Sequence, residues 1–201
     1  MQGEPERSIA AEPAIAGNSS EPSDADLVLA AQRDPHAFEP LYLRYADRLY
    51  RYAAGLTGST HLADDVVSDT MMAAFEHLAR FDPARGSFAG WLFTIARRRV
   101  ADDQRRFGRL RRAFSRHGPE PNVDEDILSG VIRSEDAARL RAALRRIPRN
   151  DREVLLLRYV AGLSGPEIAA VLNISAGAVR VRLHRALRRL ANELGEDDAR
   201  E

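Results

Sequence analysis

Asp64, Asp65 and Asp69 fall within one six-residue stretch. Carboxylates so placed can share a proton, hold a cation or attract a basic partner. Residues 65 and 69 share a helical face, with 64 adjacent. A hard-cation or zinc site needs further ligands. Only His61 stands at ligand spacing, and His36, His77, His117 and His184 are scattered. No metal site and no cofactor is expected. Nucleophile elbows and glycine-rich phosphate or dinucleotide loops are missing from the sequence too. An enzyme is therefore not expected, nor a small-molecule substrate. The three carboxylates read better as a docking surface, the plainer alternative being a solvated helix face.

A second group combines guanidinium groups with aromatic rings. Arg97, Arg98 and Arg99 are followed by Arg105, Arg106, Arg109, Arg111 and Arg112, with Phe81, Phe88, Trp91, Phe93 and Phe107 interleaved. Rings beside a basic groove suit single-stranded DNA, because bases stack while arginines hold phosphates. Most of these rings are expected in a core. The third group is Leu163 to Leu190, where a short helix, the turn Asn173-Ile174-Ser175 and a longer arginine-rich helix make a helix-turn-helix. Val179, Leu183, Ala186, Leu187 and Leu190 form the buried stripe of its second helix. Arg180, His184, Arg185, Arg188 and Arg189 lie off that stripe, where arginine can read guanine in the major groove.

The elements that position these groups are all helical by periodicity. Ser23 caps a helix through about Arg33, and Pro35 opens the next, which runs to about Leu56 with Phe38, Leu41, Tyr42, Tyr45, Leu49 and Tyr52 as its stripe. A third spans roughly His61 to Arg80 with Leu62, Val66, Met72, Phe75 and Leu78. The loop Phe81 to Gly86 interrupts, and Ser87 caps a fourth to about Arg106. Residues 107–133 lose the pattern and read as a linker. Ser134 starts a helix through Ile147, and Asn150 with Glu153, like Ser164 with Glu167, has capping-box spacing. Ser175 caps the last helix, to about Leu194. The expected fold is all-α, with one small domain over 23–106 and another over 134–194.

Composition bounds what such domains can do. All 30 basic residues are arginine, and they balance 30 acidic ones to a net charge of zero. Residues 1–26 carry six acidic groups and one basic, residues 193–201 five and one, so the interior 27–192 carries +9. That leans toward a polyanionic partner. Residues 1–22 read as a disordered acidic tail and 195–201 as a second acidic tail, both inert and solubilising. Met1 to Pro22 lacks the basic start and apolar centre of a signal peptide. No apolar run approaches the ~20 residues of a membrane span, so no membrane insertion and a cytoplasmic location are expected. Without cysteine there is no disulfide or thiolate chemistry.

The three groups, in this order, resemble the sigma factors of bacterial RNA polymerase. The stretch Asp64-Asp65-Val66-Val67-Ser68-Asp69-Thr70, then Phe75, resembles region two, which grips the clamp coiled coil of the β′ subunit. This implies polymerase contacts at Asp64, Asp65, Ser68, Asp69, Thr70 and Phe75. Gly90-Trp91-Leu92-Phe93-Thr94-Ile95-Ala96-Arg97 resembles the part that melts and reads the minus-ten element, implying contacts at Arg85, Ser87, Phe88, Trp91, Arg97, Arg98 and Arg99. Ile147-Pro148-Arg149-Asn150-Asp151-Arg152-Glu153-Val154-Leu155 and the helix-turn-helix resemble region four. That implies minus-thirty-five contacts at Ser175, Ala178, Arg180, Val181, Arg182, His184 and Arg185, and a β-flap contact. The match spans about residues 24–192 and lacks the extra regions of primary sigma factors, which points to the extracytoplasmic-function group. Arg98 replaces a common Asn at the flipped-base pocket, and Asn173 replaces a common Gly in the turn. The resemblance implies core RNA polymerase, promoter DNA and an anti-sigma factor as partners. The competing readings are a stand-alone helix-turn-helix regulator and a sigma-like protein that binds another protein instead of DNA.

Overall fold

The computed structural model describes residues 22–114 and 135–198. Every regular element among them is helical. The two ends and most of the expected linker lie outside the described residues.

Helix α1, Asp24–Arg33, begins at a Ser23–Asp26 capping box, as its sequence predicts. Pro35 opens a 3-10 turn, Pro35–Phe38, rather than the helix itself; α2 follows as Glu39–Thr57 and stops at Gly58, whose φ of 72° suits glycine. Ser59 caps α3, Thr60–His77. Short turns at Leu78–Arg80 and Pro83–Arg85 lead to α4, Phe88–Phe114. This helix runs eight residues beyond the expected end at 106. A lone Gly108 costs a helix about 1 kcal/mol, too little to stop a run of Arg, Leu and Ala around it. Residues 107–114 therefore belong to α4 and not to a linker. Leu41, Leu49, Tyr52, Val66, Leu92 and Phe93 are fully buried among these helices.

The second module comprises α5, Glu135–Arg146; α6, Arg149–Leu155; a π-helical turn, Leu156–Val160; α7, Gly165–Leu172; and α8, Ala176–Asp198. Ser164 and Glu167 form the expected capping box. Asn150 and Glu153 do not form theirs, because α6 starts one residue after Pro148 and leaves Asn150 inside the helix. Glu153 turns inward instead. Asn173 adopts the left-handed conformation (φ 54°, ψ 52°) that closes α7 and lets α8 cross it.

The modules pack on each other. Leu156 of the π turn lies over Gly55 of α2, where an added Cβ would stand 2.8 Å from a Leu156 methyl carbon. Arg48 donates from Nε to the Ala161 carbonyl at 2.9 Å. Buried Glu153 accepts from Arg97 Nε at 3.0 Å and from the Tyr52 hydroxyl at 3.3 Å. Buried residues of both modules form one hydrophobic cluster.

Four expected core positions lie at the surface. Tyr42, Met72, Phe75 and Leu187 are 44%, 63%, 47% and 42% exposed. Each sits at the edge of an apolar stripe wider than the neighbouring helices cover.

Candidate nucleic-acid interface

Capping by Ser59 sets the rotation of α3, and α2 and α4 cover its Ala63, Val66, Thr70 and Ala74 side. The opposite side presents Asp64, Asp65, Ser68, Asp69, Met72 and Phe75 to solvent. Thr70, expected among the contacts, is fully buried and cannot reach a partner there. His61 Nδ1 stands 3.5 Å from Asp65, and Arg99 bridges to Asp69 at 4.0 Å. Phe75 meets Phe38 edge-on with centroids 5.4 Å apart. The surface has an acidic N-terminal half and an apolar C-terminal half. Met72 was missing from the expected contacts, since its periodicity reads as core.

The loop before α4 is held from below. Gln32 of α1 donates to the carbonyls of Leu78 at 2.9 Å and Phe81 at 2.7 Å. Phe81 packs on Trp91 at 4.9 Å and on Phe88 at 5.9 Å. Phe88 is only 2% exposed and also packs on Tyr45, so it is a core ring that shapes the site and not a contact residue. Trp91 is half-buried at the rim, and Arg85, Ser87, Arg98 and Arg99 are exposed. Trp91, Arg85, Ser87 and Arg98 line a cleft whose far wall is Pro166, Glu167 and Ala170 of α7, while Arg99 points toward Asp69 of α3. Arg97 faces the other module, bonded to Glu153.

Ser87 lines the near wall. Its hydroxyl caps α4 by accepting from Gly90 N at 3.0 Å, and the Glu167 carboxyl lies across the cleft from it. Burial pushes that carboxyl's pKa up, but hydrogen bonds, those from the Ser164 hydroxyl and backbone among them, outweigh it, leaving the group below its usual range. Tyr52 shifts the opposite way. Burial first, then the Glu153 charge, raises its pKa well above the ordinary value, so it remains a hydroxyl donor.

On α8, Ser175 caps the helix by accepting from Ala178 N at 3.1 Å. Val179 and Ala186 are buried, with Leu183 and Leu190 partly so. Helical rotation then turns Gly177, Val181, His184 and Arg188 outward, flanked by Ala178, Arg180 and Arg185. All seven are exposed, Val181 at 68%, whereas Arg182 is half-buried. Arg188 was read as off the stripe but not assigned to DNA; it stands in the centre of this face. Arg185 and Arg189 both bond the Asp151 carboxylate of α6, itself 1% exposed. Asp151 was not singled out in the sequence, because its partners lie 34 and 38 residues away. Among the described residues no group of His, Cys, Asp or Glu could hold a metal ion, and no helix is long and apolar enough to cross a membrane.

Comparison with known proteins matches this geometry. The family model described as Sigma-70 region 2 matches residues 41–110, and that described as Sigma-70, region 4 matches residues 137–190. RNA polymerase sigma factor CnrH of Cupriavidus metallidurans is 35% identical over 190 residues, covering 88% of this chain and 97% of its own. ECF RNA polymerase sigma factor SigD of Mycobacterium tuberculosis is 33% identical over 196 residues, covering 96% and 86%. Among solved structures, CnrH in complex with the cytosolic domain of CnrY aligns with a TM-score of 0.65 at 32% identity, covering 87% of this chain and 98% of that one. The sigma factor RpoE in complex with the anti-sigma factor NepR from Bartonella quintana aligns with a TM-score of 0.65 at 25% identity, covering 79% and 96%.

Proposed function

The chain belongs to the extracytoplasmic-function group of the sigma-70 family, and from that premise we propose how its surfaces divide the work. As a sigma factor it binds core RNA polymerase and directs promoter-specific initiation. Its part is recognition and DNA opening, with no covalent chemistry of its own, and it works in the cytoplasm.

The outer face of α3 docks on the β′ clamp. Asp64, Asp65 and Asp69 supply the charge that meets a basic coiled coil, and Met72 and Phe75 supply apolar area. Burial of such area is worth ~25 cal/mol per Å². The cleft beside Trp91 takes a base of the opened minus-ten strand, with Arg85, Arg98 and Arg99 along its phosphates and Ser87 at its floor. The outer stripe of α8 enters the major groove at minus-thirty-five, with Arg180, His184 and Arg188 as its polar contacts and Val181 against a thymine methyl. A β-flap contact falls to the second module. The observation that carries this division is the separation of three exposed faces, one on each of α3, α4 and α8, all matching the family's regions.

By analogy with the complexes of its relatives, an anti-sigma factor controls it. The test is run-off transcription with core polymerase over a genomic DNA library. Discrete starts behind a shared two-part motif are expected. Equal promoter affinity with and without core polymerase would refute the division. In that assay Arg180→Ala with Arg188→Ala abolishes promoter selectivity and spares core binding; loss of both activities would mean misfolding.

A further inference from the structure

We propose that Gln32 of α1 is a positioning residue for capture of the minus-ten strand. Its single amide nitrogen holds the bend that carries Phe81, and with it the loop that presents Arg85 and Ser87 to the cleft. The inference rests on reading the cleft beside Trp91 as the minus-ten site.

A side-chain amide carries two N–H donors on one nitrogen, and Gln32 uses both on the loop. They reach the Leu78 carbonyl at 2.9 Å and the Phe81 carbonyl at 2.7 Å. Those carbonyls lie where the chain leaves the Leu78–Arg80 turn and becomes extended at Phe81 (φ −76°, ψ 130°). The Leu78 carbonyl also accepts from Phe81 N at 3.0 Å, so Gln32 closes a bend already folded on itself. Between Phe81 and Phe88 the chain has one three-residue turn, Pro83–Arg85. The direction set at Phe81 is therefore carried into Arg85 and Ser87.

Gln32 acts from a fixed post. The start of α1 is tied to α2 through Asp24, which accepts from Arg44 Nη1 at 2.6 Å and from the Tyr45 hydroxyl. Its end is closed by Asp34, whose N–H donates to the Ala30 carbonyl at 3.0 Å and whose carboxylate accepts from His36 N at 3.0 Å. Leu27, Val28 and Ala31 are buried between these ends. The Tyr45 ring in turn meets Phe88 edge-on at 5.4 Å, and Phe88 packs on Phe81 and Trp91. Helix α1 thus holds the aromatic cluster twice, through Asp24 and Tyr45 at one end and through Gln32 at the other. The second tie acts on the loop backbone itself.

The chain has one tryptophan, Trp91, packed on Phe81 with centroids 4.9 Å apart, so its fluorescence reads the loop directly. Gln32→Met keeps the length and apolar stem of the side chain and removes both donors. In the full-length free chain this variant is expected to raise acrylamide quenching of Trp91 and shift its emission to the red, with helicity by circular dichroism unchanged. Unchanged quenching overturns the proposal whether or not the minus-ten assignment stands. The functional arm uses holoenzyme saturating a duplex promoter found by run-off transcription. Strand opening, followed by permanganate reactivity of minus-ten thymines, should slow about tenfold, as expected for the loss of two hydrogen bonds. Affinity for core polymerase, and initiation from a template already open over the minus-ten element, should be unchanged. Normal opening overturns the proposal, and so does an equal loss on the pre-opened template or in core binding, which would make Gln32 a general fold residue. Failure of the wild-type chain to direct core polymerase to any shared motif would instead sink the minus-ten assignment, with the fluorescence still showing whether Gln32 holds the loop.

Discussion

Asp151 fastens two arginines of the recognition helix from the buried start of α6, each to its own carboxylate oxygen. A carboxylate 1% exposed needs such partners, because burying it unpaired costs several kcal/mol. Arg185 is therefore part scaffold, its guanidinium held in a fixed position beside the exposed stripe of α8. Arg185→Ala conflates lost DNA contact with an under-satisfied Asp151, a stability cost of about 1–3 kcal/mol. Asp151→Asn is expected to lower the melting temperature while leaving α8's exposed stripe intact. Its effect on duplex DNA should be a changed salt slope, by about one phosphate contact, since a freed Arg185 can follow the backbone. An unchanged slope would mean that Arg185 meets no phosphate. At Glu167, a pKa below the usual range means stabilisation that is fully present above the unfolded value of about 4.3 and lost as pH falls through the folded one. Thermal melts from pH 6 to pH 3 should show wild type losing its advantage over Glu167→Gln across that acid limb.

At the scale of elements, Gly55 and Leu156 should be energetically coupled. In the wild-type background Gly55→Ala gains helix propensity but crowds Leu156, so little net change is expected. In a Leu156→Ala background the same substitution should stabilise by about 0.5–1 kcal/mol in urea titrations. Additive effects would mean that the modules do not touch there. The helices themselves were legible in the sequence wherever a cap and a stripe coincided: Ser23 with Leu27, Ser87 with Leu92, Ser164 with Ile168. Caps are local, and so is periodicity. What escaped was decided across the chain. Thr70 and Phe88 look like contact residues beside their charged neighbours, yet Thr70 is buried in the helix packing and Phe88 under Tyr45 of α2 and Phe81. Met72 looks like core but faces outward, because no described helix covers that side of α3. Glu153 has the spacing of a cap, and it was Pro148 together with Arg97, 56 residues earlier, that gave it another role.

The whole molecule is basic inside and acidic at its ends, with +9 over residues 27–192. Twenty residues, 115–134, separate α4 from α5, a reach of at most about 70 Å. That suffices for the modules to part and engage DNA sites two helical turns from each other, at ~34–36 Å per turn. Because the modules share a cluster of buried residues, calorimetry of the free chain should show one cooperative transition. Two separated transitions would count against the seam. Within the holoenzyme the same tether raises each module's effective concentration at its own element, so promoter affinity should far exceed that of the free chain.

The π-helical turn at Leu156–Val160 has an evolutionary reading. Such a bulge is what insertion of one residue leaves in an α-helix. It lets Leu155, Leu156 and Leu157 all be buried in succession, which the single face of a regular helix does not allow. A lineage without that residue would carry the following chain about 100° around the helix axis relative to Leu156. Leu156 and the Ala161 carbonyl would then no longer meet Gly55 and Arg48 together, and buried Ala161 and Leu163 would turn away from their places as well. The register of this single turn therefore ties the second module's own packing to its attachment to the first.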